Sequence, residues 1–232
     1  SSLHLREALA PHGNWDGQLE YYQDVMPRGP AGCMLDAWCA SECGTGLVMD
    51  GTVLPAFDLG AMLSAHEASK ADMTVAASNE EDHEGQLDFF APAGIYVFSR
   101  RALDLAPATG YGDLKESLIP QMYDRGMKVV MYRPEGPTPR VTGVESYLAV
   151  NHWLLESGWE RPETLDGFMV MEGGIRVHPS ARVGAGARLV GPVQVGAKCR
   201  IDDGATLIGP VCMGRDCRIH GSAVICRSVL WD

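Results

Sequence analysis

The last third of the chain carries a six-residue repeat of apolar positions that begins at Ile175. The first positions of the ten hexads are Ile175, Ala181, Ala187, Val193, Cys199, Ala205, Val211, Cys217, Ala223 and Val229. The third positions are Val177, Val183, Leu189, Val195, Ile201, Leu207, Met213, Ile219, Ile225 and Trp231. Residues two apart on a strand face the same side, so each hexad predicts a short strand whose two apolar residues point inward. Three hexads then form one coil of a parallel β-solenoid with a continuous apolar column.

The first 170 residues show a different pattern, in which short apolar runs alternate with segments of helical spacing. Predicted strands cover 18–23, 45–49, 73–77, 93–98 and 128–132. Predicted helices cover 31–40, 58–69, 100–105, 114–125 and 143–158, with Asp58 as an N-cap and Gly126 as a terminator. Strand–helix alternation predicts an α/β domain over 1–165 with a mixed or mostly parallel sheet, followed by a solenoid domain over 170–232.

Charge is distributed unevenly between these two regions. The 232 residues have a net charge of −11 and are 46% hydrophobic. Residues 1–170 hold 25 acidic and 11 basic residues, whereas residues 171–232 hold 5 acidic and 8 basic ones. An acidic main body disfavours a nucleic-acid partner, which would require clustered Lys and Arg. Apolar runs are too short for a transmembrane helix and no signal peptide is visible, so we expect a cytoplasmic protein without a membrane partner.

The seven cysteines match no metal-binding spacing, and we interpret them as small apolar residues in a reducing compartment. Cys199 and Cys217 occupy inward first positions of hexads, which predicts that they are inert core residues. Cys226 falls at a predicted turn and is expected to be exposed. No metal site is therefore predicted from the cysteines.

Five short segments of the chain, taken together with the hexads, resemble a known protein family. Five segments stand in order at Pro27–Gly32 (PRGPAG), Leu47–Leu59 (LVMDGTVLPAFDL), Ala93–Phe98 (AGIYVF), Leu118–Tyr132 (LIPQMYDRGMKVVMY) and Glu145–Asn151 (ESYLAVN). Followed by hexads, they resemble sugar-1-phosphate nucleotidyltransferases, especially mannose-1-phosphate guanylyltransferases with a C-terminal left-handed β-helix. The resemblance implies a Rossmann-like nucleotidyltransferase domain. It also implies nucleotide- or sugar-binding roles for Gly29, Gly32, Asp50, Gly51, Gly94 and Glu145.

The departures from that family concern its catalytic groups. The family's first strand and its phosphate loop, G-x-G-x-R-L-x-P-L-T, have no counterpart here, so we expect an incomplete α/β domain. The two aspartates that hold Mg²⁺ in the family fall on Thr52 and Arg140, and neither residue type replaces a carboxylate as a metal ligand. The stretch between MTVAA and AGIYVF contains no lysine to meet a sugar phosphate, and Pro92 replaces the family's asparagine.

The sequence offers two ways in which the missing metal-binding groups could be replaced. Asp50 lies two residues before Thr52 and would face the same side of a strand, but at a displacement of about 6.6 Å. The guanidinium of Arg140 could grip a phosphate without a metal, although a solvated loop arginine is the simpler interpretation.

Three functions remain open. The first is a catalytically impaired nucleotidyltransferase homologue that acts as a regulatory or assembly subunit, or that binds a sugar nucleotide or sugar phosphate, as a homo-oligomer or beside a related active subunit. The second is an active NDP-sugar pyrophosphorylase, for which Mg²⁺ would be the cofactor. The third is a hexapeptide acyltransferase, which needs a catalytic histidine; the candidates are His178 and His220, both at predicted turns. We favour the first, with no catalytic residue, no metal ligand and no certain cofactor assigned.

Overall fold

A computed structural model of the chain describes residues 29–39, 43–78, 92–106, 112–157 and 167–231. The predicted strand at 18–23 and residues 79–91 of the lysine-free stretch between MTVAA and AGIYVF lie outside these described residues. The chain divides into two compact units, residues 1–138 and 139–232. This division groups the helix at 144–157, which the sequence pattern assigns to the first domain, with the solenoid.

The first unit contains four strands and four α-helices among its described residues. In chain order these are α1 (Gly29–Cys39), β1 (Thr45–Met49), α2 (Leu59–Ser69), β2 (Met73–Ala77), β3 (Pro92–Ser99), α3 (Arg100–Leu103), a π-helical turn (Leu114–Leu118), α4 (Ile119–Asp124) and β4 (Val129–Tyr132). The strand order is β1-β3-β2-β4, with β3 antiparallel to both of its neighbours and β2 parallel to β4. The sheet is therefore mixed, and every described element that the sequence predicts in this unit is present within a few residues.

Local chemistry explains where these helices begin and end. The Asp58 carboxylate accepts hydrogen bonds from the amides of Gly60 (2.8 Å) and Ala61 (3.2 Å), which caps α2 as predicted. Helix α2 ends at Lys70, whose backbone is left-handed. The single helix predicted over 114–125 is divided, because Pro120 lacks an amide hydrogen and the turn before it adopts π-helical bonding.

Strand β3 forms the centre of the first unit because both of its faces are buried. Tyr96 and Phe98 point into a cluster that includes residues of α1, α3 and α4. Ile95 and Val97 point the other way, into a cluster that includes Met62 of α2. Alternate side chains of this one strand thus pack in two hydrophobic cores, and helices cover both faces of the sheet.

The second unit contains helix α5 (Val144–Ser157) and eleven short strands. The strands are β5 (Met169–Met171), β6 (Ile175–Val177), β7 (Arg182–Val183), β8 (Arg188–Val190), β9 (Val193–Val195), β10 (Arg200–Ile201), β11 (Thr206–Ile208), β12 (Val211–Met213), β13 (Arg218–Ile219), β14 (Val224–Cys226) and β15 (Val229–Leu230). From β6 onward, all neighbouring coils pair in parallel and form three sheet faces.

The hexad pattern correctly predicts this solenoid of about three coils. Residues 18 apart stack on one another, so that Leu207 lies between Leu189 and Ile225. The inward column is closed, since Val193, Val195, Ala205, Leu207 and Val211 have no exposed surface. Cys199 and Cys217 are buried and Cys226 is exposed, as predicted.

The final coil departs from the predicted register by one residue. Val229 pairs with Cys212 and Leu230 with Met213, whereas the earlier coils keep an 18-residue offset. Leu230 therefore takes the inward position, and Trp231, which the hexads place inside, is 70% exposed. The corner before this strand is Arg227–Ser228, whereas the equivalent corners of the two previous coils are Gly–Pro. The indole stacks instead on Tyr147 of α5, with ring centroids 6.3 Å apart.

No helix among the described residues is both long and apolar enough to cross a membrane.

Candidate functional site

The first unit has one sheet edge at which three strands end. Strands β1, β2 and β4 run in the same direction, and β3 runs in the opposite direction between β1 and β2. The residues that follow β1, β2 and β4 therefore meet the start of β3 at this edge, which we call the carboxyl edge. Open α/β sheets bind ligands outside the carboxyl ends of their strands, so this edge is the candidate site.

A turn after β1 brings four of the predicted positions together. The Asp50 amide donates a hydrogen bond of 2.8 Å to the Gly94 carbonyl, and the Val53 amide donates one of 3.0 Å to the Asp50 carbonyl. The second bond closes a turn whose two central residues, Gly51 and Thr52, are exposed. Gly94 has a φ of 83°, a backbone conformation that a side chain would strain. The backbone thus holds this turn firmly while its tip faces solvent.

The other predicted positions lie outside this turn. Gly29 and Gly32 belong to helix α1; Gly29 starts the helix with a φ of 72°, and Gly32 is buried. Arg140 is half-buried and Glu145 is exposed in the first turn of α5, and both belong to the second compact unit.

The turn after β1 lacks the carboxylate with which the resembled family holds Mg²⁺. Mg²⁺ prefers an octahedral set of hard oxygen ligands, usually including one or two carboxylates. Asp50 supplies one carboxylate, but the following position that matches the family ligand is the hydroxyl of Thr52. Among the described residues, no group of three or more His, Cys, Asp or Glu side chains is arranged to hold a metal. We therefore derive no chemical step through a metal at this edge.

Two features of this edge were missed from the sequence. Ser78, directly after β2, is a buried polar residue at the end of an apolar strand. A cavity of about 320 Å³ opens between the start of α2 and the segment after β4; its lining includes Phe57, Tyr132 and Gly136. The Phe57 and Tyr132 rings lie 6.1 Å apart, which gives the cavity an aromatic wall. The signal for Ser78 was present in the sequence, as a hydroxyl directly after the predicted strand MTVAA.

The two solenoid histidines have well-defined surroundings. The Ser180 amide donates a hydrogen bond of 3.1 Å to Nδ1 of His178, so this nitrogen is an acceptor and the neutral ring carries its proton on Nε2. His178 therefore offers a hydrogen-bond donor from Nε2 rather than the free lone pair of a general base. His220 lies at the solenoid surface with its Nδ1 3.4 Å from an Asp202 carboxylate oxygen.

Comparison with known proteins finds similarity only among solved structures. No protein-family model matches the chain, and no curated protein matches it. The crystal structure of HddC from Yersinia pseudotuberculosis complexed with GMP-PN is 12% identical and has a TM-score of 0.51, covering 64% of this chain and 72% of that one. A second HddC crystal structure, also 12% identical, covers 63% of this chain and 71% of that one, with a TM-score of 0.49. At this identity the likeness shows a shared fold.

Proposed function

We propose that this chain is a sugar nucleotidyltransferase homologue that binds a sugar nucleotide or sugar phosphate at the carboxyl edge and is impaired in nucleotidyl transfer. It acts as a regulatory or assembly subunit, in a homo-oligomer or beside a related active subunit. The observation that carries this proposal is the turn after β1, where Asp50 is fixed on Gly94 and Thr52 stands in place of a metal-binding carboxylate.

Binding without transfer follows from what the edge keeps and what it lacks. It keeps a rigid turn with an exposed tip and a cavity of about 320 Å³ with an aromatic wall, a size typical of small-molecule sites. It carries Thr52 where the resembled family has a carboxylate that brings a divalent cation to the phosphates. The fold shared with HddC supports a nucleotide ligand, because that protein was crystallised with GMP-PN.

Gly51 and Gly44 offer a matched pair of substitutions to test the site. They flank opposite ends of strand β1, and a Cβ added at either position meets nothing within 4 Å. A Cβ is therefore accommodated at both positions, but only Gly51→Phe adds a side chain at the carboxyl edge. We expect Gly51→Phe to weaken binding of GDP-mannose or mannose 1-phosphate at least tenfold in titration calorimetry, and Gly44→Phe to leave the affinity unchanged. Equal affinities of the two variants for every sugar nucleotide tested would contradict the site.

Pyrophosphate release tests the impairment separately. The protein is incubated with Mg²⁺, GTP or dTTP, and mannose or glucose 1-phosphate, and the pyrophosphate formed is measured. We expect no turnover approaching 1 s⁻¹, a rate at the lower end for ordinary enzymes. Turnover at or above that rate would show an active NDP-sugar pyrophosphorylase and overturn the proposed impairment, even if the binding result stands.

A further inference from the structure

One face of the solenoid carries an arginine at the same outward position in three successive coils. Arg200 of β10 pairs in register with Arg182 of β7 on one side and Arg218 of β13 on the other. Adjacent strands lie about 4.8 Å apart, so the three arginine side chains start from backbone positions stacked in a column. We call this set the arginine ladder. All three residues are exposed, and like charges in direct register repel one another.

The other two faces show that this repetition is not a general property of the solenoid. The equivalent outward positions are Arg188, Thr206 and Val224 on one face. On the remaining face they are Arg176, Gln194 and Cys212. Only the ladder face repeats a cation in every coil.

Asp202 balances one end of the ladder. Its carboxylate accepts a hydrogen bond of 3.0 Å from Nε of Arg200 and lies 3.8 Å from a guanidinium nitrogen of Arg218. The hydrogen bond from Arg200 holds the pKa of Asp202 below its usual value, so the carboxylate stays ionised between the two arginines.

The other end of the ladder is not balanced in this way. Gly184 occupies the position in its coil that Asp202 occupies in the next, and Arg182 has no ion pair with any described residue. A side chain cannot stand at Gly184, because its Cβ would lie 2.6 Å from a carboxylate oxygen of Asp203. The same Asp203 oxygen already accepts a 2.8 Å hydrogen bond from the Gly186 amide, so this carboxylate is held by the backbone.

A cleft of about 500 Å³ lies beside this end of the ladder. Arg182, Arg200, Gly184, Asp202 and Asp203 are among its lining residues. Guanidinium groups bind phosphate oxygens through two parallel N–H bonds. Arg182 can present such a fork, and Arg200, whose Nε is bonded to Asp202, can present one through its two terminal nitrogens. We propose that this cleft is an anion site that binds two linked phosphoryl groups, one on Arg182 and the other on Arg200. The proposal does not depend on the function proposed for the carboxyl edge.

Inorganic pyrophosphate is the probe that tests this site, in magnesium-free buffer at fixed ionic strength. We expect saturable binding by the full chain in calorimetry, and at least tenfold weaker binding by Arg182→Ala. Arg188→Ala, which removes one exposed arginine from a neighbouring face, is the matched control and should retain wild-type affinity. Arg182→Lys keeps the charge but loses the fork, so it should bind with reduced affinity. Equal affinities of Arg182→Ala and Arg188→Ala, or no saturable binding by the wild type, would overturn the proposal.

Two further comparisons identify the ligand and distinguish the cleft from the carboxyl edge. Orthophosphate should bind at least tenfold more weakly than pyrophosphate; equal affinity would refute the requirement for two phosphoryl groups. A nucleoside diphosphate that binds like pyrophosphate, and loses its affinity in Arg182→Ala, extends the site to nucleotides. Gly51→Phe should leave pyrophosphate binding unchanged, so a failure of one site is distinguishable from a failure of the other.

Arg182→Ala should not unfold the solenoid, because the side chain is exposed and its removal relieves repulsion within the ladder. Without ligand, its melting temperature should equal or exceed that of the wild type. Pyrophosphate should raise the melting temperature of the wild type but not of the variant, since a ligand stabilises only the state that binds it. A lower melting temperature of the ligand-free variant would show that Arg182 has a structural role and would count against the proposal.

Discussion

The hydrogen bond between His66 and Thr74 allows a quantitative test of the first unit. His66 of α2 is 4% exposed and Thr74 of β2 is 1% exposed. The imidazole Nδ1 lies 2.8 Å from the threonine hydroxyl. The pair therefore joins a helix to the sheet inside the protein, where neither group can exchange its partner for water.

Thr74→Val removes the hydroxyl while nearly conserving the volume of the side chain. The variant loses a neutral hydrogen bond and leaves Nδ1 of His66 buried without a partner. A buried polar group left unpaired costs about 1–3 kcal/mol. The extra methyl group recovers part of this by apolar burial, at about 0.8 kcal/mol for a buried carbon. We expect a net loss of about 0.2–2 kcal/mol, which corresponds to roughly a 1.4–30-fold change in an opening equilibrium.

Hydrogen exchange, measured by mass spectrometry on peptides that cover β2, reports the loss of opening free energy at this strand. The measurement therefore does not require the two units to unfold together. Thr45→Val is the matched control, because it makes the same substitution at an exposed position of the same sheet. The β2 amides should exchange about 1.4–30-fold faster in Thr74→Val and at the wild-type rate in Thr45→Val. In a His66→Leu background the effect of Thr74→Val should shrink. Equal exchange in the two single variants would refute an energetic role for this bond.

The remaining predictions concern pH and the solenoid column. Burial lowers the pKa of His66 and outweighs the opposing effect of the Glu67 and Asp72 carboxylates. The folded state therefore binds this proton less readily than the unfolded state, and stability should fall as the pH drops below about 6.5, the ordinary histidine value. Unfolding measured between pH 8 and 5 should show this loss, and His66→Leu should reduce it; an unchanged slope in the variant would contradict the assignment. Leu207 has no exposed surface, so Leu207→Ala should destabilise the solenoid by about 2–5 kcal/mol in denaturant melts. Truncation of the neighbouring, 38% exposed Ile208 should cost clearly less, and similar losses would argue against the inward column.

Local chemistry made most of the elements readable from the sequence. The Asp58 cap and the apolar run at 93–98 depend on neighbouring residues, and both appear where the pattern predicts them. The candidate site was harder to predict from the sequence. Asp50 and Gly94 are 44 residues apart in the chain, and their pairing follows from the antiparallel register of β1 and β3. The resemblance named both positions, but only the register makes them neighbours.

The solenoid shows the same division within a regular repeat. The 18-residue spacing of Arg182, Arg200 and Arg218 already implies that they stack once three hexads make a coil. Side-chain geometry decides that Asp202 forms ion pairs with Arg200 and Arg218. It also decides that the space beside Gly184 is too small for a Cβ atom. No spacing rule contains either fact.

The sequence by itself determined the two architectures, because hydrophobic periodicity is a local property that strands and helices express directly. It also determined that Thr52 and Arg140 stand where the resembled family has carboxylates. The tertiary structure decided the sheet order that creates the carboxyl edge, the buried pairing of His66 with Thr74, and the slip that turns Trp231 outward. These features depend on which distant segments meet and on how much space they leave, and such contacts are set only when the whole chain packs.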